Sequence, residues 1–189
     1  GRADEVFGES ADVHPSGYLP LYASVLDYIV SSQIRSFGIA VVLIFGLMLV
    51  WMRSLRLALI SMVPNLLPVL AMFGTMAAAG INLNVTTASI AAIIIGVAID
   101  DTIHFLHAWR ELEEEGADWE TCLEETFERA GPAICVTTLL LAGGFPVLML
   151  ASIETVAYFG FLTSVAAVAA LLADLFVLPL VLKAWPASN

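Results

Sequence analysis

The 189-residue chain is 60% hydrophobic and only 13% charged, with a mean hydropathy of +0.92, whereas soluble domains lie nearer half apolar and a quarter charged; an ordinary soluble globule is excluded. Seven Lys and Arg against 18 Asp and Glu leave a net charge of -11 and no basic patch to neutralise phosphates, which excludes nucleic acid as a partner. Two cysteines, Cys122 and Cys135, offer neither a disulfide framework nor metal-type spacing and read as plain thiols.

In chain order, residues 1–33 combine scattered acids, the segment His14-Pro15-Ser16-Gly17 and the tyrosines Tyr18, Tyr22 and Tyr28. This texture reads as the end of an extracytoplasmic domain leading into an interfacial segment, with the tyrosine rings at headgroup level. The chain opens at Gly1 without Met, a basic n-region or an early apolar run, so no signal peptide is visible and a piece of a longer protein is expected.

A helix needs roughly 20 mostly apolar residues to cross about 30 Å of hydrocarbon. Five stretches qualify or nearly do: 34–52, 57–79, 83–108, 132–150 and 155–182. The expected fold is an all-α membrane bundle, with residues 34–182 as a five-helix transmembrane domain in the lipid bilayer and 183–189 as a cytoplasmic tail. Arg53 and Arg56 follow span one, Arg110 and Arg129 separate spans three and four, and Lys183 follows span five, so five of the seven basic residues share a side. By the positive-inside rule that side is the cytoplasm, which puts the N-terminus outside and the C-terminus inside.

Short outer connections at 80–82 and 151–154 make spans two and three, and four and five, antiparallel neighbours. The inner connection is longer. From Asp118, the residues Trp119, Cys122, Leu123, Thr126, Phe127 and Ala130 recur at helical spacing, predicting a cytoplasmic amphipathic helix over 118–130, on the membrane surface or against the bundle. Gly131-Pro132 is expected to end that helix and start span four. The nine acids from Glu111 to Glu128 read as a solvated face. Pro64, Asn65 and Pro68 mark span two as one whose freed carbonyls need neighbours, and Gly143, Gly144 and Pro146 predict a kink in span four.

Span three holds the most informative segment, Gly96-Val97-Ala98-Ile99-Asp100-Asp101-Thr102-Ile103-His104-Phe105. Asp100 lies about 15 Å of helix before Arg110, near the bilayer centre. A charge there costs at least a few kcal/mol unless it faces protein or a water-filled path, so it marks a functional site by default. Gly96, Asp100, His104 and His107 share one helical face, while Asp101 is turned by about 100° and can look towards a different partner. Carboxyls in such a position can bind and release protons and so couple proton flow to a conformational change, each charge moving down the membrane potential contributing about 2.3 kcal/mol per 100 mV. His104 is a candidate on the proton path. The bland reading is an acid hydrogen-bonded within the bundle, with Thr137, Thr138 or Asn65 as partner. Asp174, eight residues before the end of span five, is expected near the inner interface as a structural pairing residue.

Two other function classes compete. Asp100, Asp101, His104 and His107 supply carboxylate and imidazole at helical spacing, as a membrane-embedded metalloenzyme would need, although one helix can present only two or three of them to one ion. A lipid-sensing or assembly module without transport would tolerate loss of Asp100.

Several segments carry a family resemblance: Ser31-Ser32-Gln33-Ile34-Arg35-Ser36-Phe37, Arg53-Ser54-Leu55-Arg56, Val63-Pro64-Asn65-Leu66-Leu67-Pro68, the run from Gly96 to Phe105, Gly144-Phe145 and Leu178-Pro179-Leu180. In order and spacing the chain resembles the closing half of resistance-nodulation-division exporters, particularly their MMPL-like and Patched/Dispatched-like branches, and would supply the last five of twelve membrane helices. The resemblance implies a non-enzymatic exporter in the cell inner membrane, driven by the proton-motive force with no bound cofactor. Its partners would be the N-terminal half of the same chain, a lipid or other hydrophobic substrate, and in some cases further copies of itself. Asp100 and Asp101 would be the proton-coupling residues with His104 beside them, supported by Gly96, Thr137, Thr138 and Asn65. The drug-efflux branch has a Lys in this helix where this chain has acids, and a related sterol-sensing role is a further implication.

Overall fold

The computed structural model describes residues 18–82 and 85–186. His14 and the side chains of Tyr18 and Tyr22 lie outside the described residues. The chain is an all-α membrane protein with no strand among the described residues, and five stretches of helix are long and apolar enough to cross a bilayer.

Helix α1 (Tyr18–Met52) runs unbroken through the boundary expected near residue 33, with Pro20 confined to its first turn, where the missing N–H has no partner to lose. Its 35 residues span about 52 Å, more than the hydrocarbon thickness. Helix α2 (Leu55–Ala79) is capped by Ser54, whose hydroxyl accepts from the Leu57 N–H, and closes on Gly80 in the left-handed conformation (φ 66°), a geometry open to glycine without strain. It continues through Pro64 and Pro68, both buried.

Helix α3 (Val85–Glu114) is the central element, in contact with α1, α2, α4 and α5. Helix α4 (Trp119–Gly144) is followed by a 3-10 turn (Phe145–Leu150). The final span combines α5 (Glu154–Leu172), a π-turn (Ala173–Val177) and α6 (Leu178–Ala184).

The predicted break at Gly131-Pro132 is absent: the amphipathic segment and span four form one helix. Cys122, Thr126, Ala130, Ile134 and Thr138 form an unbroken i, i+4 row of buried residues across the proline, and Phe127 packs edge-on against Phe105 at 5.5 Å. A break would disrupt that continuous face. The carbonyl that Pro132 leaves without its helical donor belongs to Glu128, which is exposed, so the usual penalty of an interior proline is reduced here. The kink expected at Gly143-Gly144 takes the form of a tightening into the 3-10 turn. Gly160 of α5 crosses that turn so closely that a Cβ there would lie 2.5 Å from the Phe145 carbonyl oxygen.

Two apolar clusters fill the bundle. One, at the end carrying the basic residues, contains Met48, Met52, Leu57, Phe105, Leu106, Trp109, Ile134 and Leu182; the other contains Val69, Met72, Met76, Ile90, Ile94 and Leu162. Between them, α2, α3 and the π-turn contribute the buried polar residues Ser61, Asn65, Thr102 and Asp174. Ile39, Val42, Leu43, Leu47, Leu139, Leu140 and Leu180 are exposed on the outside, as a lipid-facing surface requires.

At the basic end the arginines tie helix termini together. Arg56 donates to both Glu113 carboxylate oxygens at 3.0 Å and to the Trp185 carbonyl at 2.6 Å, and Arg110 donates to the Met52 carbonyl and to Glu114. Trp109 stacks on Trp119 at 4.8 Å, and the Lys183 ammonium lies over the Trp119 ring. The basic residues grouped by sequence therefore meet at one end of the bundle.

Candidate functional site

Helix α3 presents its buried side, Ala98, Asp101, Thr102, Phe105 and Trp109, to its neighbours, at the i, i+3, i+4, i+7 and i+11 spacing of a helix packed along one stripe. That geometry separates the two adjacent acids. Asp101 is 4% exposed and accepts from the Thr137 hydroxyl of α4 at 3.0 and 3.3 Å. Thr137 also reaches the Ile134 carbonyl, so its single proton is shared between its own helix and the acid.

Asp100 points the other way. Its side chain is 69% exposed and lies 3.9 Å from His104, itself 64% exposed, while His107 pairs with Glu111 at 3.5 Å further along the same face. The face that combines Gly96, Asp100, His104 and His107 is the outer one, so Asp100 does not turn inward within this chain as its mid-span position predicts. The reason is rotational: the opposite side of α3 is occupied by contacts with α2 and α5. Asp100 and Asp101 nevertheless line one groove between α3 and α4, of about 520 Å³, together with Gly96, Val97, Ile103, Thr137 and Leu140.

Of the expected supporting residues, Thr137 bonds directly to Asp101. Thr138 is buried on α4, but no hydrogen bond joins it to either acid among the described residues. Asn65 lies on the other side of α3. Its Oδ1 is 3.2 Å from the Thr102 hydroxyl, and its amide donates to the Ser61 carbonyl at 2.7 Å.

The same Thr102 hydroxyl donates to Asp174 at 2.8 Å. Asp174 is 1% exposed and sits at the depth of Thr102, not at the inner interface expected for it, because the final helix continues to Ala184 and leaves about 15 Å of rise beyond it. It lies in the π-turn, where the Leu178 N–H bonds to the Ala173 carbonyl. The proline at 179 accounts for the wide turn: its ring would collide with the carbonyl four residues back, and a π-turn relieves that clash. Asp174 and Thr102 are the pair that sequence reasoning undervalued. The available signal was that Asp174 is the lone charge between Glu154 and Lys183.

Among the described residues no group of three or more His, Cys, Asp or Glu side chains could hold a metal ion. Cys122 is buried and Cys135 exposed, both as free thiols.

A relative from Methanocaldococcus jannaschii, named only as a membrane protein, is 25% identical over 154 residues, covering 82% of this chain and 40% of that protein. The chain thus spans about two fifths of the curated relative it matches. The model of the MMPL family matches residues 3–186, nearly the whole sequence, and with its five apolar spans the chain is a multi-pass membrane protein that belongs to the MMPL family.

Proposed function

We propose that this chain is the closing membrane portion of a proton-coupled exporter of lipids or other hydrophobic compounds, in which Asp100 and Asp101 carry the protons. The observation that carries the reading is the carboxylate pair on one groove at mid-span: Asp101 buried and held by Thr137, Asp100 exposed at its rim beside His104. A buried carboxyl that opens onto a groove can exchange a proton without unfolding its surroundings, and its charge state changes what the two helices gain by staying together. Membership of the MMPL family supports the exporter reading. His104, close to Asp100, is placed to relay protons towards the basic end, which the distribution of Arg and Lys assigns to the cytoplasm.

The exposed face of Gly96, Asp100, His104 and His107 is where the remaining half of the same protein packs, since a carboxylate at that depth is costly against lipid. The proton-motive force is the energy source, and no cofactor is required. The cell inner membrane is the proposed site.

The test uses the full-length protein in proteoliposomes. A fluorescent long-chain lipid should move only when a proton gradient is imposed, and Asp101→Asn should reduce that movement to the level of empty vesicles while inserting normally; Asp100→Asn should do the same. Unchanged transport in Asp101→Asn, or transport indifferent to the gradient, would sink the proposal.

A further inference from the structure

We infer that Asp174, Thr102 and Asn65 form a second proton-binding site, enclosed between α2, α3 and the π-turn and separate from the Asp100–Asp101 groove. Hydrogen-bond donors in this cluster are fewer than its acceptors. The Thr102 hydroxyl has one hydrogen and lies within bonding distance of three acceptors: the Asp174 carboxylate at 2.8 Å, the Ala98 carbonyl at 3.0 Å and Asn65 Oδ1 at 3.2 Å. One Asn65 amide hydrogen is directed at the Ser61 carbonyl and the Ser61 hydroxyl at the Ala58 carbonyl, and among the described residues neither group makes a hydrogen bond to Asp174 as donor. Asn65, Thr102 and Asp174 are all at most 1% exposed. With Asp174 ionised, its oxygen and Asn65 Oδ1 compete for a single hydrogen, and one buried acceptor goes unmatched.

One added proton resolves the conflict. On the Asp174 carboxyl it donates to Thr102 Oγ, which frees the Thr102 hydrogen to point at Asn65 Oδ1. Thr102 Oγ and Asn65 Oδ1 then each accept one hydrogen. When the proton leaves, the Thr102 hydroxyl swings back to Asp174 and the link to α2 is lost. The site therefore converts protonation into a choice of partner for one hydroxyl on the central helix.

The π-turn packs on α2, α3, α5 and α6. Asp101 on α3, though turned to Thr137, is close enough for its charge to act on Asp174. Helix α2 carries no charge from Leu57 to Ala79, and the final span carries none from Thr155 to Leu182 besides Asp174, with Lys183 at its end. Use of the site in a transport cycle rests on the exporter reading, whereas its existence does not.

The experiment is infrared difference spectroscopy of the full-length protein between acid and alkaline pH. A protonated-carboxyl band should appear on acidification, vanish in Asp174→Asn and persist in Asp100→Asn and Asp101→Asn. Thr102→Val should shift its frequency, and Thr102→Ser should restore it, which keeps the test intact if Asp174→Asn fails to fold. A band at every pH, a band indifferent to Asp174→Asn, one unmoved by Thr102→Val, or a change driven by sodium at fixed pH overturns the site. Loss of transport in Asp100→Asn with the Asp174 band intact would concern the groove alone, and intact transport with no Asp174 band would concern this site alone.

Discussion

Asp101 and Asp174 are the same residue at the same depth, each accepting from a threonine hydroxyl, yet their surroundings differ in a way that decides what each can do. Asp101 is buried against one partner, Thr137, and lines an open groove. Asp174 is sealed between two apolar clusters, and its partner Thr102 also faces Asn65. A carboxylate beside a groove can draw on water when a donor is lost. An enclosed one has only the side chains packed around it, so its donors must come in the right number. Fold stability should therefore depend on the enclosed site more than on the open one.

Thr102→Val sharpens the contrast most. It keeps the volume and removes the hydroxyl between Asp174 and Asn65, taking from that buried pair the one hydrogen they share, and should cost about 2–3 kcal/mol in reversible unfolding in mixed micelles. The matching change at the open site, Thr137→Val, should cost about 1 kcal/mol or less, since the groove can supply water to Asp101 and single bonds in membrane bundles are weak. Equal costs for the two variants would break the comparison.

The smallest effect lies outside the membrane. Asp118 precedes the first turn of α4 and accepts from the Thr121 hydroxyl, which holds its carboxyl below the usual carboxylate range. A depressed folded-state value stabilises above the unfolded value and is lost as pH falls through the folded one. Tryptophan emission, sensitive to the neighbouring Trp119, should report loosening of this turn as pH falls through and below the usual carboxylate range, and Asp118→Asn should flatten that limb.

Much of the architecture is legible in the residues. Each of the five spans was placed from length and apolarity, but the helices run on into polar sequence: α1 starts at Tyr18 and not at 34, α4 at Trp119 and not at 132, and α3 continues through Trp109 to Glu114. Grouping Arg53, Arg56, Arg110, Arg129 and Lys183 on one side anticipated the end at which Arg56 and Arg110 tie the helices together. The join at Pro132 was misread because proline rules describe an isolated helix, whereas here a buried row on both sides of the proline keeps the helix whole. Thr137 was named among three candidate partners for an intramembrane acid, and helical spacing alone could not choose between it and Thr138.

Sequence alone determined that this is a multi-span membrane protein with carboxylates at mid-depth, because the cost of polar groups in hydrocarbon is written directly into residue type and run length. Only tertiary structure decided which carboxylate is buried. The answer depends on the rotation of α3 against its neighbours and on a π-turn before Pro179, and both are set by packing between segments far apart in the chain.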